Sequence, residues 1–191
     1  MTHPDGEYDY NIESMEKAAE ALLRHLPIDF ESEHMQDTPI RFAGMLRSMT
    51  HREEFKFTTF PSESNDMVTS HPIPFYTLCA HHVVPFYGHA SVSYVPNGRI
   101  VGLSKLARTV QYWAKGLWVQ EELTATIANY LDSELKPLGV AVQMQAEHLC
   151  MAMRGVETAG VKTTTTTTLG VYGDHDRTAK AEFLALIGSQ R

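Results

Sequence analysis

From Ile12 onward the apolar positions Met15, Ala18, Ala19, Leu22, Leu23 and Leu26 recur at helical spacing, and Pro27 ends the helix they predict. Asp37-Thr38-Pro39 sets a capping residue before a proline, which suits the first turn of a second helix. Ile40, Ala43, Leu46 and Met49 mark its buried side. Residues 52–70 hold no period and collect the turn formers Pro61, Ser62, Ser64, Asn65 and Asp66, so a loop is expected there. Strand character begins near Met67. Between Phe86 and Val95, Ala90, Val92 and Tyr94 alternate with small or polar residues, predicting a half-buried strand. Pro96-Asn97-Gly98 makes a turn, after which 99–102 is expected to return as the partner strand.

Ser104 suits a helix N-cap, and Leu103, Leu106, Ala107, Val110 and Ala114 form an apolar stripe that Gly116 interrupts. A longer helix is predicted from Trp118 to Lys136, because Val119, Leu123, Ile127, Leu131 and Leu135 recur every four residues. Val140–Met153 and Val161–Tyr172 alternate as strands. The second contains six consecutive threonines, which a plain strand accommodates because Thr is β-branched. A short helix over 177–187 closes the chain, and residues 1–11 are expected as a loose polar arm. Helices, two strands, two helices, two strands and a helix predict an α+β fold, with an antiparallel sheet and helices on one face.

Composition narrows the function. Hydrophobic residues make up 43% and charged residues 20%, as in soluble globular proteins. The net charge of −7 argues against non-specific nucleic-acid binding. No apolar run approaches the roughly 20 residues of a membrane helix. The N-terminus, with His3, Asp5, Glu7 and Asp9, lacks the features of a signal peptide, so a cytoplasmic protein is expected.

Cys79 and Cys150 are the only cysteines, and each stands among histidines: Cys79-Ala80-His81-His82 and His148-Leu149-Cys150. One alternative is a disulfide. Another is a metal site, because Cys79-x-x-His82 offers two ligands from one loop. On a strand, His148 and Cys150 share a face, since side chains alternate. Cys79, His82 and Cys150 would then bind one ion, leaving His81 and His148 beside it. Thiolates with imidazole favour zinc over magnesium or calcium. A further ligand would close the site into a structural zinc, whereas three ligands leave a position open for chemistry. His25, His34, His51 and His175 are read as ordinary surface or core histidines.

Ser104, Lys105 and Arg108 lie at a helix start, where backbone N–H groups and the dipole favour an anion. Lys105 and Arg108 share a face. Arg154, four residues beyond Cys150, is expected on the ligand-bearing face of the same strand, and Arg41 is a further candidate. The bland alternative for each is a solvated surface charge. Glu121, after Gln120, either complements the helix dipole or grips the N–H edge of a purine.

Together these stretches resemble the GTP cyclohydrolase I family. They are Thr38-Pro39-Ile40-Arg41, Cys79-Ala80-His81-His82, Pro85-Phe86-Tyr87-Gly88, Gly102 to Arg108, Val119-Gln120-Glu121, His148 to Gly155, and Lys162-Thr163. The resemblance implies a tunnelling fold with a four-stranded antiparallel sheet and two helices over residues 67–191, preceded by an arm and helices over 1–66. It implies a toroidal homodecamer that converts GTP and water to 7,8-dihydroneopterin triphosphate and formate. Zinc would be held by Cys79, His82 and Cys150. Glu121 would anchor guanine, aided by main-chain groups near Gln120. Lys105, Arg108 and Arg154 would hold the triphosphate, with Arg41 reaching in from a neighbouring subunit. His81, His148 and Ser104 would transfer protons. The chain departs from the family at Ala80, where a Glu is usual, and at Trp118 and Glu122, which replace a polar and a basic residue.

Overall fold

The computed structural model describes residues 11–173 and 177–188; the expected arm, apart from Asn11, and His175 lie outside them. The chain divides into two compact units, Met1–His51 and Arg52–Arg191. Residues 52–66, expected with the N-terminal helices, therefore belong to the second unit.

In the first unit, α1 spans Ile12–Leu23 and α2 spans Thr38–Thr50, with a single 3₁₀ turn between them at Glu33–Met35. The Asn11 side chain caps α1 by accepting from Ser14 N at 2.9 Å. Asp37 precedes α2 as expected, but its carboxylate bonds Arg41 instead of capping the backbone. Ala19 and Ala43 are buried where α1 meets α2, while Ile40, expected inside, is exposed. The α2 face is rotated toward its small residue.

The second unit is built on the strands β2 (Val68–Cys79), β3 (Pro85–Val95), β6 (Gly139–His148) and β7 (Lys162–Gly170), antiparallel in that order. The expected sheet of four gains a fifth member. β5, only Leu117–Trp118, pairs in parallel with the end of β2 through Leu78↔Leu117 and Cys79↔Trp118. Gly116, at φ 145°, lets the chain turn into this strand where a continuous helix start at Trp118 was expected.

The supposed loop over 52–70 also contains β1 (Thr59–Pro61). It pairs with β4 (Arg99–Val101) in a separate two-stranded sheet. β4 was expected to pair with β3. Its three residues instead cross to β1, and Val101 N donates to the buried Tyr94 hydroxyl at 3.1 Å.

α3 (Leu103–Ala114) and α4 (Gln120–Leu135) pack on one sheet face, α3 against β2 and α4 against β6 and β7. Leu106, Val110, Leu123, Ile127 and Leu131 from the helices meet Phe75, Phe86, Val92, Val142 and Met144 from the strands in one buried core. The helical stripe and the alternating strand positions thus face each other. Leu103, included in the predicted stripe, is 70% exposed because it opens the helix. Gly102, not Ser104, is the N-cap residue. On the opposite sheet face α6 (Arg177–Gly188) lays Phe183 and Ile187 against Ala141 and Tyr172. Tyr172 bonds Ser93 at 2.8 Å.

Candidate active site and metal centre

Cys79 ends β2, and the chain reverses at once. Val83 N donates to Cys79 O at 2.8 Å, and Cys79 N donates to Val84 O at 2.9 Å, closing a tight loop around Ala80, His81 and His82. Val83 closes this loop at φ 54°, a left-handed conformation that a β-branched residue rarely adopts. The strain sits directly after His82. Beyond the turn, β3 runs beside β6 with Phe86 opposite His148. Gly88 permits their close approach, since a Cβ there would collide with the Gln145 carbonyl.

β6 ends at His148. Cys150 is not on the strand, as expected, but in the four-residue α5 (Leu149–Ala152), and Arg154 follows that helix. The expected alternation is thus replaced by a helical turn. Even so, Cys150 Sγ lies 4.0 Å from Cys79 Sγ, and His82 Nδ1 lies 3.9 Å from Cys79 Sγ. The ligand atoms of Cys79, His82 and Cys150 all lie within 4.8 Å of one another. With metal–sulfur bonds of about 2.3 Å, tetrahedral ligands stand about 3.8 Å apart, so the three fit a single ion. Both cysteines are free thiols.

His81 Nδ1 also approaches Cys79 Sγ, at 3.7 Å, but does not join the mutually close set. Three ligands therefore converge among the described residues, the number that leaves one position open. Burial and the neighbouring Cys79 push the Cys150 thiol up, and Arg154 opposes this. A metal ion would reverse the balance by favouring thiolate. Arg154 Nη1 lies 3.1 Å from His82 Nε2. A guanidinium only donates, so His82 accepts through Nε2 there. Ligation through Nδ1 requires the proton on Nε2, which would release Arg154 from this bond.

The second half of the site arrives through β5. Its pairing with β2 places Trp118 beside Cys79, and α4 begins two residues later at Gln120. Gln120 is 2% exposed, and its amide meets His148 Nε2 at 2.7 Å. His148 stacks on Phe86 with centroids 4.4 Å apart and planes 9° from parallel. Burial lowers the His148 pKa, and the negative charge of Glu121 partly offsets it. Glu121 is exposed in the first turn of α4, which no side chain caps. Trp118 is a buried core residue, with the Arg52 guanidinium 5.6 Å from its ring centre. That departure from the family pattern acts in packing. Ala80 and Glu122 are exposed, and nothing in the structure explains them further.

Ser104, Lys105 and Arg108 stand in the first two turns of α3, with Ser104 and Arg108 exposed. None of them makes a hydrogen bond to the Cys/His cluster. Arg41, in the first unit, pairs with Asp37 at 2.9 Å. The sequence reading missed β5, the element that carries α4 to Cys79; Gly116 was its one local signal.

A helix-backed sheet with three Cys/His ligands converging from the end of β2, the turn after it and the helical turn after β6, the two strands that flank β3, defines an α+β protein with a candidate metal centre. The profile of the family described as GTP cyclohydrolase I matches residues 15–188. The chain belongs to the GTP cyclohydrolase I family. It is 44% identical over 183 residues to GTP cyclohydrolase 1 of Streptococcus agalactiae serotype Ia, covering 93% of this chain and 97% of that one. It is 42% identical to the Bacillus mycoides protein of that name (93% and 96% covered) and 40% identical to that of Brevibacillus brevis (93% and 97%). The apo archaeosine synthase QueF-Like superposes with a TM-score of 0.43 at 17% identity, over 57% of this chain and 96% of that one, too slight a likeness to bear on function. No helix among the described residues is long and apolar enough to cross a membrane.

Proposed function

We infer that the protein is a GTP cyclohydrolase, converting GTP and water to 7,8-dihydroneopterin triphosphate and formate. The observation that carries this reading is the convergence of Cys79, His82 and Cys150 from the ends of β2 and β6 in a chain of this family. Thiolates and imidazole suit zinc. When bound, zinc would supply Lewis acidity that lowers the pKa of a water toward neutrality.

The chain's own residues do the remaining work. Glu121 offers two acceptor oxygens to the N–H edge of guanine, and its exposure and nearness to His148 support that role. The Gln120 side chain is committed within the protein, so any contribution of this residue to guanine binding comes from its main chain. Lys105 and Arg108, at the start of α3, hold phosphate oxygens, aided by the helix N-terminus. Arg154 joins them once free of His82. Arg41, contributed by a neighbouring subunit of a toroidal homodecamer, completes the cradle.

His148 exchanges protons with the purine as its imidazole ring opens, and its lowered pKa keeps a neutral, accepting ring at physiological pH. His81 and Ser104 serve the later proton transfers at the ribose. Incubating zinc-loaded protein with GTP should release formate and yield a pterin that fluoresces after oxidation. Zinc-loaded protein that produces neither would overturn the reading.

A further inference from the structure

Gln120 Nε2 lies 3.2 Å from Met144 O, 3.1 Å from Thr163 O and 3.1 Å from Thr165 Oγ1. Carbonyl oxygens only accept, so the amide nitrogen must face them; a flipped amide would set oxygen against oxygen. The hydroxyls agree with this choice. Thr124 Oγ1 donates to Gln120 O at 2.7 Å, which uses its single proton. Thr165 Oγ1, 2.6 Å from Thr124 Oγ1, must then be the donor across that contact. It is left to accept from Gln120. A chain of hydrogen bonds results, from the Gln120 side-chain amide, whose two hydrogens are shared among three acceptors, through Thr165 and Thr124 back to the Gln120 main-chain carbonyl.

Gln120 Oε1 is therefore a pure acceptor, and it faces His148 Nε2 at 2.7 Å. Only a protonated Nε2 satisfies it. In the neutral ring the lone pair then lies on Nδ1. Stacking on the fully buried Phe86 holds the ring plane. We propose that Gln120 is a positioning residue that holds His148 as the Nε2–H tautomer, so that Nδ1 is the nitrogen that exchanges protons with substrate. The inference rests on His148 being the proton carrier of the proposed reaction. It also gives the threonine run a use, because Thr163 and Thr165 supply acceptors that orient Gln120.

The test uses the full-length, zinc-loaded protein labelled with ¹⁵N-histidine, with His148 assigned by the signal lost in His148→Asn. Wild type should show the directly bonded proton on Nε2. Gln120→Leu should populate both tautomers and lower kcat by about 10–100-fold, as loss of an orienting partner commonly does, with zinc content kept and KM for GTP nearly unchanged. Thr165→Val, which leaves Gln120 two carbonyl acceptors, should cost less. An Nδ1–H tautomer in wild type would overturn the proposal, as would an unchanged kcat in Gln120→Leu. A loss confined to KM would make Gln120 a substrate contact instead. Should Gln120→Leu fail to fold, the wild-type tautomer still decides. The tautomer is readable without turnover, so absence of GTP cyclohydrolase activity would count against the functional reading alone.

Discussion

Between Ile12 and Thr50, charged side chains satisfy one another at the surface: Lys17 with Glu13, Arg24 with Glu20 and Glu31, and Arg41 with Asp37. In the sheet unit, Lys105, Arg108 and Arg154 have no carboxylate partner among the described residues, and Arg154 reaches a histidine instead. The burial patterns differ as sharply. The helical pair buries Ala19 and Ala43 and leaves Leu22, Phe42 and Met45 exposed, whereas the sheet unit closes a core of large side chains. Exposed ion pairs contribute about 0–1 kcal/mol, so pairing in the first unit says little about stability. Cations left unpaired in the second are the better sign of a ligand.

This contrast can be broken most sharply at the candidate metal ligands. Cys150→Ser should lose both zinc and GTP turnover while the far-ultraviolet circular dichroism is kept, because Cys150 is half-buried beside the core and not part of it. Retained zinc by elemental analysis would remove Cys150 from the site. In the core, Leu131→Ala should destabilise the protein by about 2–5 kcal/mol in denaturant titration, through lost burial and a residual cavity. Leu22→Ala, at a position 57% exposed, should stay within about 0.5 kcal/mol. Equal effects would mean that the two units do not differ in packing as described. Last come the charges. Arg108→Ala should weaken GTP binding by about tenfold or more with zinc retained, since a charge-assisted bond is worth about 1.5–3 kcal/mol. Lys17→Ala, breaking an exposed pair, should leave affinity unchanged; calorimetry with GTP would separate the two.

Much of the fold was legible because it rests on local periods. The stripe of Leu123, Ile127 and Leu131 and the alternation of Ala90, Val92 and Tyr94 announce their elements without reference to partners. The errors fall where tertiary contacts override such signals. β5 is two residues long and exists only because β2 lies beside it. β4 takes β1 as its partner although a turn joins it to β3. The helical turn that carries Cys150 interrupts a sequence that alternates well enough to be a strand. The candidate ligands and their convergence could be named from residue type and spacing, yet the helical turn that presents Cys150 could not.

The sequence by itself determined the chemistry on offer: two thiols among histidines, a basic cluster at a helix start, and a glutamate opening the next helix. Residue type and short-range spacing are properties of the chain alone. Tertiary structure decided which groups meet. Strand pairing brings Cys79 and Cys150, 71 positions apart, to 4.0 Å, and β5 carries Gln120 to within 2.7 Å of His148. The proton-bearing nitrogen of His148 depends on hydroxyls and carbonyls from three separate elements. Hydrogen bonds are short-ranged and directional, so no one-dimensional pattern specifies them until the sheet has formed.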